Sequence, residues 1–461
     1  MHPTLGDDLA RLPDLLQSAR DLAARELAGL DDRPVAWLGK APDAGPVPEE
    51  GAGAEAALAR FAEHWAPGFS GSAGPRYLGF VTGGATPAAV AGDWLTTAYD
   101  QNGSGAVGSW AAALERETVD WLREVFGLSA AHSGAFVSGA TMSNTVGLAV
   151  GREWVGERLG VSVAREGAAA LGPVEVFSGS PHSSIGKALS MLGIGRERLR
   201  QVPLLGGNRE AVDVGALDAA LSSRGGRPAI VVANAGTVNT VDFDDLRAIA
   251  ALKERHDFWL HVDAAFGGFA ALSPDHAHLV AGLDAADSVC VDLHKWLNVP
   301  YDSAVQFTRR RDLQIAVFHN ASPYLGLPTG EPDFVHLTPE NSRRLRALPA
   351  WFSLVAYGRA GHREIVERNV ALARALGEGV AALEGLRLLA PVRLNVVCFT
   401  LAGDPSQERV DALARAVAES GETFLTPTVY GGVPGLRAAF SNWRTSEGDV
   451  RRVVGALRAA L

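Results

Sequence analysis

The stretch Asp287-Ser288-Val289-Cys290-Val291-Asp292-Leu293-His294-Lys295-Trp296 decides how the chain is read. It opens as a short apolar run with β-branched residues and stops at a polar turn. A buried strand that feeds a functional loop has this pattern. Lys295 falls where the strand should run out. The chain holds only four lysines, Lys40, Lys187, Lys253 and Lys295, and arginine supplies its other side-chain cations. An arginine keeps its proton near neutral pH, whereas a lysine amine in a desolvated pocket can lose it and attack a carbonyl. Taken alone, Lys295 equally describes a surface lysine in a loop. The neighbouring strings shift the balance.

Upstream, Ala229–Ala233 and Phe258–Val262 are further apolar runs, as are Gly134–Val137, Val174–Phe177, Ser288–Val291 and Ala304–Thr308. Helical stretches separate most of them: Ser143–Leu159, Ser184–Leu192, Val214–Ser222 and Phe243–His256. This alternation predicts an α/β fold around a mostly parallel sheet covered on both faces, with ligands beyond the strand carboxyl ends.

The candidate chemical residues fall at those ends. Val137-Ser138-Gly139-Ala140-Thr141-Met142-Ser143-Asn144 passes from a strand into a helix. Its small residues, hydroxyls and helix N-terminus suit an anion such as a phosphate, although the string also describes an ordinary capped helix. It lacks the lysine of a nucleoside-triphosphate loop. Ser180-Pro181-His182-Ser183-Ser184 puts an imidazole after a strand, where it can stack on an aromatic cofactor or serve structure alone. Phe258-Trp259-Leu260-His261-Val262-Asp263-Ala264-Ala265 ends an apolar strand in an acid. Asp263 can hold a metal, cap the next turn or face a cation. Asn234-Ala235-Gly236-Thr237 is another small, polar strand end. Together these strings offer a phosphate anchor, a stacking imidazole, an acid for a ring nitrogen and an amine, which are the parts a pyridoxal phosphate site needs.

The chain resembles the group II amino-acid decarboxylases, the family of aromatic L-amino-acid and glutamate decarboxylases. The likeness runs from about Arg33-Pro34 to Leu436-Arg437, and the Asp-Leu-His-Lys-Trp and His-Val-Asp-Ala-Ala strings are its most specific parts. It implies a fold-type I enzyme with a seven-stranded sheet, pyridoxal 5'-phosphate as cofactor, no metal, and decarboxylation of an L-amino acid to the amine and CO2. By the same resemblance Lys295 would form the Schiff base, Asp263 would pair with the pyridine nitrogen and His182 would stack on the ring. Gly139, Ala140, Thr141, Ser143, Asp292 and His294 would surround the phosphate, and Thr237 and Ala265 would line the cofactor. Tyr324 in Ser322-Pro323-Tyr324-Leu325 would protonate Cα from a mobile lid. Tyr77, Phe80 and Asn102 would face the substrate, and the homodimer would complete the site.

Two features depart from the family pattern: Asp292 stands where aromatic decarboxylases usually carry Asn, and Asn102-Gly103-Ser104-Gly105 replaces bulkier segments. An aromatic substrate is expected. Glutamate or another acidic amino acid is the alternative, favoured if Arg76 faces the pocket. An aldehyde-forming oxidative deaminase is a further one.

Composition bounds the rest. The 461 residues, 47% of them hydrophobic, suffice for more than one domain. The expected division is 1–72 as an N-terminal helical arm that packs on a partner, 73–345 as the large cofactor domain and 346–461 as a small C-terminal α+β unit. Net charge is −10 with no dense basic run, so no nucleic-acid surface is expected. No apolar window suits a membrane helix, and the first thirty or so residues lack the pattern of a signal peptide. Cys290 and Cys398 lie in apolar runs, which suggests a reducing, cytoplasmic setting.

Overall fold

The computed structural model describes residues 1–43, 45–105, 108–320 and 331–461. Seven strands form the larger sheet: β1 (Ser133–Val137), β2 (Val176–Ser178), β3 (Leu199–Gln201), β4 (Ala229–Asn234), β5 (Phe258–Asp263), β6 (Ser288–Asp292) and β7 (Ala304–Thr308). Their order is β1-β7-β6-β5-β4-β2-β3. Pairings from β6 through β5, β4 and β2 to β3 are parallel, and β7 runs antiparallel to both β6 and β1. The sheet is therefore mixed but mostly parallel. Every residue of β4, β5 and β6 is buried, as continuous apolar strands covered on two faces must be. Each fully buried Val, Leu or Phe there contributes about 1.5–3 kcal/mol.

The helix Ala140–Leu159 covers one face. It rides close because two of its residues are glycines. A Cβ on Gly147 would stand 2.7 Å from the His261 ring, and one on Gly151 2.7 Å from Trp259. The helix Pro87–Tyr99 and the long segment Ala347–Ala381, broken at Gly358, pack together beside the sheet. That segment joins two cores. Its Ile365 and Val366 belong to the large one, and its Leu372, Leu376 and Val380 to the small one.

The small core is completed by an antiparallel sheet of β8 (Leu386–Leu388), β9 (Val396–Leu401), β10 (Thr426–Tyr430) and β11 (Val433–Ala439), in the order β10-β11-β9-β8. Its two flanking helices are Gln407–Glu419 and Glu447–Ala460. At the other end of the chain, the helices Pro3–Ala10 and Leu12–Ala28 have no buried residue. Leu5, Leu9, Leu12 and Leu16 all face outward.

Candidate active site

Strands β1, β2, β4, β5 and β6 all point their carboxyl ends to one edge of the sheet. After Asp292 the chain turns at once into the single helical turn Leu293–Trp296. Trp296 anchors that turn. It is fully buried and its indole N–H donates to Asn369 Oδ1 at 2.8 Å. The neighbouring Lys295 is left lining a cavity of about 370 Å³. Its Nζ stands 3.5 Å from Asp292 Oδ2 and 5.5 Å from the centre of the Phe266 ring.

Asp263 closes β5, level with Cys290 on β6 and Asn234 on β4. It is 7% exposed. Its Oδ2 accepts from Asn144 Nδ2 at 2.9 Å and its Oδ1 from the backbone N–H of Ala265 at 3.2 Å. His182, beyond β2, caps the helix Ser183–Met191; its Nδ1 accepts from the Ser184 backbone N–H at 3.2 Å. Burial lowers the basicity of this ring, partly offset by the nearby Asp263 charge. The imidazole is thus held neutral.

Beyond β1, Gly139, Ala140 and Thr141 line the same cavity. The Ala140 N–H, at the start of its helix, donates to Asp292 Oδ2 at 3.3 Å. His294 also lines the cavity, its Nδ1 standing 3.0 Å from Asp292 Oδ1, and its ring lies 4.1 Å from that of Tyr301.

Other expected site residues sit elsewhere. Ser143 is fully buried and does not line the cavity, and its hydroxyl donates to the Val305 carbonyl at 3.1 Å. Thr237 does not line the cavity, because its hydroxyl is committed to Glu210 Oε2 at 2.6 Å. Ala265 acts through its backbone, whose carbonyl accepts from the Asp292 N–H at 2.9 Å. Asn102 is a brace. Its Oδ1 accepts from the N–H groups of Ser104 and Arg343, each at 3.1 Å. Phe80 lines the cavity, whereas Tyr77 stacks on Phe424 with ring centres 5.0 Å apart. Arg76 is not in the pocket. It is 1% exposed, donates to the Asp31 carbonyl at 2.7 Å and pairs with Glu422 at 3.3 Å. Tyr324 lies outside the described residues.

One cation was not foreseen. Arg437, on β11, reaches from the small sheet into the cavity. It donates to the carbonyls of Val238 at 2.7 Å and Phe80 at 3.4 Å. The signal in the sequence was slight: an arginine inside the apolar run Leu436–Phe440, where a charge is rare unless it has work to do.

An amine, a carboxylate, a neutral imidazole and a guanidinium thus cluster at one sheet edge. A family model described as the pyridoxal-dependent decarboxylase conserved domain matches residues 46–402.

The chain belongs to this family.

An aromatic-L-amino-acid decarboxylase of Bacillus atrophaeus is 27% identical over 399 residues, which is 84% of this chain and 81% of the relative. An L-2,4-diaminobutyrate decarboxylase of Acinetobacter baumannii is 30% identical over 363 residues, 74% of this chain and 69% of the relative. Among solved structures, that of Oryza sativa TDC with PLP and tryptamine superposes with a TM-score of 0.91 at 24% identity, covering 100% of this chain and 99% of that one.

The protein is a pyridoxal phosphate-dependent amino-acid decarboxylase. Its residues fit that cofactor. The buried Nε of Arg437, beside the cavity, has no hydrogen-bond partner among the described residues. A helix start, the Lys295 amine and the Asp292 carboxylate line the space a flat phosphorylated ring needs, while Asp263 lies outside that lining.

Proposed function

We propose that the substrate is an L-amino acid with an aromatic side chain, released as its amine and CO2. One observation carries this reading. The cavity is lined by Phe80, Phe266 and Tyr301, and behind Phe80 lies the Tyr77–Phe424 stack. Such a wall favours a ring over a charged chain. The relatives named above include an aromatic-L-amino-acid decarboxylase, which supports it.

The cofactor, when bound, supplies an electron-accepting ring that stabilises the charge left as CO2 departs. Each remaining role is assigned to this chain. Lys295 Nζ is the covalent attachment point. With the cofactor bound, Asp263 would be the residue to pair with its ring nitrogen and His182 the residue to hold its ring. Gly139, Ala140, Thr141 and His294 hold the phosphate through a helix N-terminus and side-chain donors. Arg437 orients a carboxylate. Tyr324 returns a proton to Cα.

Arg437 also favours a second reading, an acidic amino acid anchored by its side-chain carboxylate. CO2 release and amine product, measured across a panel of amino acids, separate the two. Amine from tyrosine, tryptophan or phenylalanine supports the aromatic reading. Turnover confined to glutamate or aspartate replaces it with the acidic one. Aldehyde and ammonia in place of amine would make the enzyme an oxidative deaminase.

The same reading gives a homodimer, supported by the outward-facing leucines of the N-terminal helices and by Trp110 at 90% exposure. It divides the chain at 72 and 345, supported by the larger sheet lying within 133–308 and the small one within 386–439. A cytoplasmic location is supported by two free, buried cysteines. No described helix is long and apolar enough to cross a membrane.

A further inference from the structure

Behind the cavity, a line of buried polar groups runs through the sheet and ends at Asp263. Trp259 Nε1 donates to Ser288 Oγ at 2.9 Å. Ser288 Oγ is 2.8 Å from His261 Nδ1. A carboxylate only accepts, so the Asn144 amide nitrogen faces Asp263 and its oxygen faces His261; Nδ1 is then the acceptor of the Ser288 hydroxyl proton. The His261 proton is then on Nε2, which meets Asn144 Oδ1 at 2.9 Å.

With its oxygen taken, the Asn144 amide donates through both N–H bonds. One goes to Asp263 Oδ2 at 2.9 Å and the other to Ser184 Oγ at 3.1 Å. Ser184 Oγ in turn stands 2.7 Å from His182 Nδ1. Every donor points the same way, from Trp259 toward Asp263 and His182. No amide flip or alternative tautomer satisfies the set.

Trp259, Ser288, His261 and Asn144 are fully buried, and Ser184 is 3% exposed. Burial pushes the His261 imidazole down to about 4, against the pull of Asp263. It therefore remains a neutral donor above that pH.

We propose that Asn144 is a positioning residue: its one buried amide fixes the Asp263 carboxylate. This rests on the reading of Asp263 given above. The His182 tautomer is set separately, because the Ser184 backbone N–H donates to Nδ1 and leaves the ring proton on Nε2. Without the amide, Asp263 Oδ2 loses its side-chain donor, and His261 Nε2–H has nowhere to go.

The test compares wild type, Asn144→Leu, Ser288→Ala and Asp263→Asn as cofactor-loaded proteins. The readouts are the ¹⁵N resonance of a labelled cofactor ring nitrogen, the ¹H–¹⁵N tautomer pattern of His182, and kcat and KM. For Asn144→Leu, kcat falls about 10- to 100-fold with KM within about 3-fold, as for other groups that orient reacting residues. The ring-nitrogen resonance moves toward its unprotonated position, while His182 keeps its single tautomer, held by the Ser184 backbone N–H. Ser288→Ala moves the ring-nitrogen resonance the same way by less, and decides the matter if Asn144→Leu does not fold.

A wild-type ring-nitrogen resonance in whichever of the two variants is read overturns the inference. A wild-type resonance and turnover in Asp263→Asn would instead overturn the role given to Asp263.

Discussion

Gly83 and Lys295 touch backbone to backbone: a Cβ on Gly83 would stand 1.8 Å from the Lys295 carbonyl oxygen. The Gly83 N–H donates to the His294 carbonyl at 3.3 Å. Asn298 ties the contact, donating to the carbonyls of Gly83 at 2.6 Å and Ser441 at 2.7 Å. The turn that aims the amine is therefore clamped between the segment after Phe80 and the end of β11.

Gly83→Ala should break this clamp. The opposing atom is backbone, held by β6, and cannot swing aside as a side chain would. The expected cost is about 3 kcal/mol, at the upper end for overpacking. Thermal unfolding with and without added pyridoxal phosphate should show a lower Tm and a smaller rise on adding cofactor. An unchanged Tm would mean that the turn yields freely.

The Glu115–Arg343 pair should be worth much more intact than broken. Both side chains are wholly buried, joined by two hydrogen bonds of 2.9 and 2.7 Å. Glu115→Ala strands a buried guanidinium, which costs about 3–5 kcal/mol. The shift in urea midpoint measures it. A loss below about 1 kcal/mol would show that Arg343 finds another partner or water.

Acid should destabilise the protein through two histidines. Burial pushes His261 and His362 from 6.5 down to about 4. Between those values the unfolded chain binds protons that the folded one refuses, so stability is full above pH 6.5 and lost as pH falls toward 4. At about 1.4 kcal/mol per unit, each contributes on the order of 3 kcal/mol.

Asp244 acts with the opposite sign. Burial raises it from 3.8 to about 6, so the folded state keeps its proton and gains relative stability as pH falls through that window. Two groups outweigh one. His362→Gln, distant from the site network, should flatten the decline in urea midpoint between about pH 7 and pH 4.5. An unaltered slope would remove His362 from the account.

The apolar strands declare themselves in the sequence because each is a continuous run with both faces covered. Ala304–Thr308 matches its structural bounds. Strand β3 does not declare itself. Leu199-Arg200-Gln201 is a three-residue edge with two exposed positions, and neither alternation nor hydrophobicity marks it. Phe243–His256 shrinks to the helix Leu246–Ala251 plus a short 3₁₀ turn, because Asp245 caps at the backbone N–H of Ala248.

Lys295, Asp263 and His182 are readable because each ends a strand or opens a helix, and strand ends carry chemistry in such sheets. Ser143 and Thr237 do not line the cavity, and sequence cannot show that their hydroxyls are bonded to Val305 and Glu210. Arg437 and Asn144 stay hidden for the converse reason. Their partners lie more than a hundred residues away, and only the packed sheet brings them in.

The direct test of the central claim is to locate the cofactor on the chain. Borohydride reduction of the loaded protein, followed by peptide mapping, should place the pyridoxyl group on Lys295 alone among the four lysines. The Lys295→Ala variant should carry none. A label on Lys40, Lys187 or Lys253, or a label that survives in Lys295→Ala, would contradict it.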